Sequence, residues 1–283
     1  MTKNIKIAGT SVFPIGLGTW NIGNSPSEEE QEIEALQQGL QAGAQVIDTA
    51  EMYGSGASEK IVGQAIKDYA RDSFYLVSKV SPGNASKKQL PKSLEKSLKR
   101  LQVDYLDLYL LHWKSPVPLE ETVEVMEKMK KAGKIKAWGV SNFDTPDMED
   151  LLSLPNGKNC VTNQIKYNLI DRGSEYGLLP YMREQQLPMI AYSPIIKNSL
   201  QQFNEGQSQV LEELAETHQV RLQQILLAWS IRDGNTIAIP KSSNDAHVLD
   251  NIKAAQIQFT TPELEQLDNV FEKPTEKQPL ALW

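Results

Sequence analysis

Three apolar runs in this chain each end on a group that can hold a charge or a proton. Asp48 closes the run that opens "VIDTAEMYGSG", Lys79 closes "FYLVSKV" and His112 closes "YLDLYLLH", while Tyr53 follows Asp48 by five residues. A phenol titrates near 10 and is a weak acid at pH 7, but a neighbouring ammonium favours its ionised form. With Asp48 keeping Lys79 charged and His112 adding a hydrogen bond, Tyr53 is expected to act as a general acid. A phenol lowered by about three units corresponds to roughly 4 kcal/mol of differential interaction. Each residue also has an ordinary structural reading. Asp48 caps a turn, Tyr53 packs over it, and Gly54 and Gly56 supply turn dihedrals. Lys79 emerges into solvent, His112 is a hydrogen-bonded core histidine, and Asp107, on the opposite face of its run, contacts a helix. Convergence favours chemistry, because packing alone does not explain four unlike polar groups gathered at neighbouring strand ends.

The elements that must position these groups alternate regularly. Eight short apolar runs, "IGLGTW", "QVIDTA", "FYLVSKV", "YLDLYLLH", "IKAWGVSN", "VTNQIKY", "PMIAYSP" and "TIAIPKS", are separated by amphipathic stretches. Leu94, Leu98 and Leu101 recur at i, i+4, i+7 after Pro91 at a first-turn position, and Leu211, Leu214 and Ala215 line another helical face. Eight strand-plus-helix units predict a (β/α)8 TIM barrel, an α/β fold, as a single domain over residues 1–283. The opening "KIAGTSVFPIGLG" reads as a β-hairpin that closes the barrel bottom.

Active sites on this fold sit at the carboxyl ends of the strands. Asp48, Lys79, His112, Ser141, Asn142, Lys241 and Ser242 all fall there. Alternation sets Tyr75, Val77 and Lys79 on one face, and Leu106, Leu108, Leu110 and His112 on one face. "GVSNF" brings a hydroxyl and an amide to the barrel mouth, which suits an amide ligand. Lys241 and Ser242 precede a helix beginning near Asn244, so ammonium, hydroxyl, amide and helix N-terminus converge on a phosphate site.

Composition excludes several other classes. The chain has 283 residues, 40% of them hydrophobic, and a formal net charge of -7 at pH 7. Lys87, Lys88, Lys92, Lys96, Lys99 and Arg100 are interleaved with leucines as a solvated helix face, so no footprint for nucleic acid or an anionic membrane is read. No apolar run approaches the ~20 residues of a membrane span, and no metal site is read. A lone Cys160 and an N-terminus without an apolar signal region point to the reducing cytoplasm. A two-domain dinucleotide-binding fold needs G-x-G-x-x-G after its first strand, and Gly16, Gly18 and Gly23 have the wrong spacing.

From end to end the chain resembles the aldo-keto reductase family, through "GLGTWNIG", "VIDTAEMYGSG", "LVSKV", "DYLDLYLLHW", "GKIKAWGVSNF", "NQIKYN", "AYSP" and "IPKSSNDAHVLDNIKA". The resemblance implies NADPH-dependent reduction of an aldehyde or ketone by a tetrad of Asp48, Tyr53, Lys79 and His112. Hydride passes from nicotinamide C4 to the carbonyl carbon, Tyr53 protonates the oxygen and His112 orients the carbonyl. It further implies a cofactor site that includes Gly18, Thr19, Trp20 and Asp48, with Ser141, Asn142 and Gln164 on the carboxamide and Tyr192 stacked on the nicotinamide. Ser193, Lys241, Ser242, Asn244, His247 and Asn251 match positions that bind the pyrophosphate and the adenosine phosphate. Trp20, Tyr53, His112 and Trp113 match the substrate pocket. His247 departs from the arginine usual in NADPH-specific members, which predicts a narrower preference for NADPH, with NADH as a weaker alternative. Short loops after the fourth, seventh and eighth strands, "KSPVP", "IIKNSLQQFNEG" and the tail to Trp283, predict an open pocket for small or medium aldehydes and dicarbonyls. The chain is read as a monomer. A non-enzymatic nucleotide-binding or structural protein on the same fold is the alternative, but it need not keep all four tetrad groups.

Overall fold

The computed structural model describes residues 3–195 and 202–282. It opens with an antiparallel hairpin, β1 (Ile5–Ile7) and β2 (Thr10–Val12), in which Ile5 pairs with Val12. The two-residue turn uses Ala8 and Gly9 at φ 49° and 82°, the positive dihedrals that match the twist of a tight hairpin. Eight parallel strands follow: β3 (Leu17–Gly18), β4 (Val46–Asp48), β5 (Tyr75–Val80), β6 (Leu106–Leu111), β7 (Ile135–Ser141), β8 (Cys160–Lys166), β9 (Met189–Tyr192) and β10 (Thr236–Ala238). Each lies on one of the apolar runs, and they pair in sequential order.

The seam between β3 and β10 closes the cylinder. Parallel bridges join Ile15 to Ala238 and Gly18 to Lys241, and the amides of Gly16 and Gly18 donate to Ala238 O and Pro240 O at 2.8 and 3.0 Å. Helices α1 (Glu29–Gln41), α2 (Ala57–Ile66), α3 (Leu90–Leu101), α4 (Leu119–Lys131), α5 (Thr145–Ser153) and α6 (Leu178–Glu184) occupy the crossovers between β3 and β9. Among the described residues, helices α7 (Glu205–His218) and α8 (Leu222–Ser230) lie between β9 and β10, and α9 (Asp245–Lys253) and α10 (Thr261–Val270) follow. Pro91 stands in the first turn of α3, and Leu94, Leu98 and Leu101 are all buried. Among the described residues, no helix is long and apolar enough to cross a membrane.

Two apolar layers result from strand alternation. Inside the barrel, Val46, Tyr75, Val77, Leu108 and Leu110 pack with hairpin residues Ile5, Ile7 and Val12, so the hairpin plugs the amino-terminal end. The helices cover the outer face. Leu106, expected on one face with Leu108 and Leu110, instead joins Ile135 in the outer layer where both open their strands. Asp107 also differs from expectation, because its partners lie in a loop and on neighbouring strands. Its carboxylate pairs with Arg71 at 2.7 Å and Lys136 at 2.9 Å and accepts from the amide of Leu76 at 2.9 Å. At the barrel's lower rim the loop before β5 and the neighbouring strand reach the carboxylate.

Gly18 is needed for that seam. A Cβ there would stand 2.5 Å from Ile239 O, in backbone that cannot retreat without opening the pairing. Gly18→Ala is therefore expected to cost about 2 kcal/mol or more, read as a lower urea midpoint with unchanged slope. A wild-type midpoint would show that the seam has slack.

Candidate active site

Lys79 lies on the inner face of β5 and is fully buried. Its Nζ donates to Asp48 Oδ1 at 2.5 Å, to the Thr49 carbonyl at 2.9 Å and to Tyr53 Oη at 3.3 Å. An ammonium has three protons to place, and each has an acceptor. The second oxygen of Asp48 accepts from Gln164 Nε2 at 2.7 Å, across the barrel from β8. Tyr53 starts a one-turn 3₁₀ segment (Tyr53–Gly56) in which Gly54 and Gly56 have φ of 55° and 92°. The glycines of "VIDTAEMYGSG" supply the expected turn dihedrals, and the same turn brings Tyr53 to Lys79. His112 stands edge-on to Tyr53 with ring centroids 5.6 Å apart and lies 4.7 Å from the ring of Trp113. The four groups expected together are together.

Burial sets their protonation. For Lys79, desolvation works against the ammonium, but Asp48 and Tyr53 outweigh it and raise the pKa above the ordinary lysine value. For Tyr53, burial raises the phenol, Lys79 pulls it down and Asp48 pushes it up again, leaving it above 10. That corrects the expected lowering. The carboxylate that neutralises the lysine also cancels much of its field at the phenol, and desolvation then decides the direction. Tyr53 consequently keeps its proton at neutral pH, the state a proton donor requires. His112 is lowered to about 2, by burial and then by the Lys79 charge, so its ring is neutral.

Around this centre the amides and hydroxyls expected to face a carboxamide form one network. Ser141 Oγ donates to Gln164 O at 2.8 Å and lies 3.1 Å from Asn142 Nδ2, which also donates to the His112 carbonyl at 3.1 Å. Tyr192 Oη donates to Asn142 Oδ1 at 2.9 Å. Asn142 and Ser193, at the ends of β7 and β9 on either side of β8, have φ of 60° and 49°, a left-handed conformation uncommon outside glycine. Ser193 O accepts from Asn168 Nδ2 at 3.1 Å. Trp20, Met52 and Trp113 are 44%, 41% and 40% exposed, which leaves open aromatic and thioether walls beside the tetrad. The "IIKNSLQQFNEG" loop lies partly outside the described residues, as does Trp283.

At the seam, Lys241 bridges Gly18, and Asn244 caps α9 by accepting from the His247 amide at 3.1 Å. Ser242 Oγ accepts from the Asn244 amide at 3.1 Å, His247 is exposed in the first turn, and Asn251 is buried farther along the helix. An amide-rich pocket beside the tetrad and a cationic helix N-terminus at the β3–β10 seam form a donor set that fits an extended dinucleotide.

Sequence reasoning missed three supports. The Thr49 carbonyl receives a Lys79 proton, and a backbone acceptor has no residue signature. Glu51 accepts from the Ser81 amide at 2.7 Å, from Asn84 Nδ2 at 3.0 Å and from Ser93 Oγ, tying the Tyr53 segment to the loop after β5 and to α3. Ser58 is a fully buried hydroxyl in the first turn of α2, where a serine otherwise reads as an ordinary cap.

The Aldo/keto reductase family profile matches residues 14–272. The chain belongs to that family. It is 43% identical to methylglyoxal reductase YeaE of Escherichia coli over 99% of each chain. Glyoxal reductase of Bacillus subtilis is 32% identical over 89% of this chain and 87% of its own. The crystal structure of an aldo/keto reductase from Klebsiella pneumoniae in complex with NADP and acetate superposes with a TM-score of 0.95 at 43% identity, covering 100% of both chains. This aldo/keto reductase is thus an oxidoreductase on a barrel shared end to end with its relatives.

The neutral state of His112 has a kinetic consequence. At saturating substrates, kcat for carbonyl reduction is expected to be level across about pH 5.5 to 8, without the limb near 6.5 that an ordinary histidine produces. A limb near 6.5 that disappears in His112→Gln would show that His112 titrates there.

Proposed function

We propose that this aldo/keto reductase reduces small aldehydes and dicarbonyls with NADPH, with Tyr53 as the proton donor. The observation that carries the reading is the buried Lys79 ammonium, paired with Asp48 and 3.3 Å from Tyr53 Oη, at an open barrel mouth. Hydride delivered to the carbonyl carbon is the chemistry that NADPH supplies when bound. Ser141, Asn142 and Gln164 would hold its carboxamide and Tyr192 its ring. Gly18, Thr19 and Trp20 would lie along it, and Ser193, Lys241, Ser242, Asn244, His247 and Asn251 would hold its phosphates.

The proton transfer belongs to the protein's own groups. A carbonyl oxygen lodged between Tyr53 and His112 gains negative charge as its carbon is reduced. Neutral His112 orients that oxygen by a ring N–H, and Tyr53 gives it the phenolic proton. The resulting phenolate is held by Lys79 at no cost in reorganisation, because the ammonium is already in place. Asp48 keeps Lys79 charged before and after. Small substrates suit a mouth walled by Trp20, Met52, Tyr53, His112 and Trp113, and the named activities of the Escherichia coli and Bacillus subtilis relatives support dicarbonyls. The same reading takes the enzyme as a cytoplasmic monomer without nucleic-acid or membrane partners, in keeping with its net charge of -7.

Tyr53→Phe is expected to lower kcat by about 10²- to 10⁴-fold, the worth of a general acid, with NADPH affinity by fluorescence titration within about twofold. Unchanged kcat would remove Tyr53 from the reaction.

His247 makes the second test. An arginine fork grips a phosphate through two parallel bonds, whereas a histidine ring offers one. His247→Arg is expected to raise the NADPH to NADH ratio of kcat/KM by about fivefold or more, on the scale of one added charge-assisted hydrogen bond. An unchanged ratio at pH 7.5 would place His247 away from the 2′-phosphate.

A further inference from the structure

Behind Tyr53 lie three buried hydroxyls that touch no reacting atom. Ser58 Oγ is 2.8 Å from Thr19 Oγ1, 2.9 Å from Thr19 O and 3.1 Å from Thr49 Oγ1. Thr19 Oγ1 in turn lies 2.9 Å from the backbone carbonyl of Asp48. Ser58, Thr19 and Thr49 are all fully buried.

Proton counting gives this cluster a direction. A carbonyl only accepts, so the Thr19 hydroxyl gives its single proton to Asp48 O. Thr19 Oγ1 can then only accept, and the Ser58 proton is committed to one of the two Thr19 oxygens. Ser58 Oγ therefore accepts from Thr49. The hydrogen bonds run one way, Thr49 donating to Ser58 and Ser58 to Thr19, whose own hydroxyl donates to Asp48 O.

Both ends of the chain belong to the site. Thr49 supplies a carbonyl acceptor for Lys79, and Asp48 supplies the carboxylate. The segment between Thr49 and Ser58 carries Tyr53, so the bond between these two hydroxyls closes the base of the Tyr53 loop. The Thr19 amide also donates to Asp48 O at 3.1 Å, and the next residue is Trp20. We propose that Ser58 is a positioning residue, the hub of a one-way hydroxyl chain that holds the Tyr53 loop and the Thr49 carbonyl in register with Lys79. The proposal rests on Tyr53 being the acid. Ser58 itself touches neither substrate nor cofactor; it acts through the distance between Tyr53 Oη and Lys79 Nζ.

Four variants test it with methylglyoxal and NADPH: Thr49→Val, Ser58→Ala, the double variant, and Thr122→Val. Thr122 is a buried hydroxyl on α4 that donates to Ala85 O at 3.2 Å, outside the site, and controls for the structural cost of losing such a group. Thr49→Val keeps side-chain shape and carries the test if Ser58→Ala folds poorly.

Thr49→Val and Ser58→Ala are each expected to lower kcat about tenfold, short of the ~10²-fold that follows a 1 Å misplacement. KM for NADPH should stay within about twofold. The alkaline fall in reductase kcat should move to higher pH, because a phenol held less closely by Lys79 is a weaker acid. The double variant should match the worse single variant, since a chain broken once is already lost. Thr122→Val should lower the melting temperature while leaving kcat and the alkaline limb alone.

A folded Thr49→Val or Ser58→Ala enzyme with wild-type kcat and limb would overturn the proposal, as would additive losses or an equal kcat loss in Thr122→Val. Tyr53→Phe separates the two levels. Full activity there sinks the acid assignment and this proposal with it. Loss of activity there, with wild-type Thr49→Val, sinks the positioning role alone.

Discussion

A fully buried ammonium is the constraint around which this barrel mouth is organised. Removing Lys79 from water costs several kcal/mol, and the cost is offset only if every proton finds an acceptor in good geometry. Asp48, Thr49 and Tyr53 meet that demand from one strand end and the loop that follows it. Gln164 then fixes the second carboxylate oxygen from a position 116 residues farther along the chain. That contact requires β4 and β8 to face one another across a closed cylinder, which is why the seam between β3 and β10 matters to chemistry as well as to stability.

The pair also sets the protonation of its neighbours. An isolated lysine beside Tyr53 would make the phenol more acidic, but a neutralised one in a low-dielectric pocket leaves desolvation dominant. The result is a protonated phenol, a neutral imidazole and a charged lysine held within a few ångströms. Charge appears at the phenol only when its proton leaves. In the proposed reaction the attraction of Lys79 therefore strengthens as the proton leaves, and interactions that strengthen in the transition state are the ones that accelerate a reaction.

Several residues proposed to bind the cofactor also hold the mouth together. Asn142 ties the His112 strand end to Ser141 and Tyr192. Asn244 caps α9 and is also proposed to hold a cofactor phosphate. Gly18, proposed to lie along the cofactor, has no room for a Cβ against Ile239 O. Residue type alone does not separate these roles.

Much of this was legible in the sequence, because strand and helix periodicities are local. Eight apolar runs located eight strands, Pro91 and the Leu94, Leu98, Leu101 spacing located α3, and "SSND" marked the start of α9. The tetrad residues stood out because charged or polar groups at apolar run ends are costly without partners. Tertiary structure alone decided what depends on distance through space. It turned Asp107 to Arg71 and Lys136, placed Leu106 in the outer layer, and set Gln164 on Asp48. It also reversed the expected direction of the Tyr53 shift. A pKa is the sum of burial and all nearby charges, and neither the depth of the pocket nor the carboxylate's cancelling field can be read from residue order. The Thr49, Ser58 and Thr19 chain likewise joins three segments whose hydroxyls look unremarkable in isolation and acquire direction only when they touch.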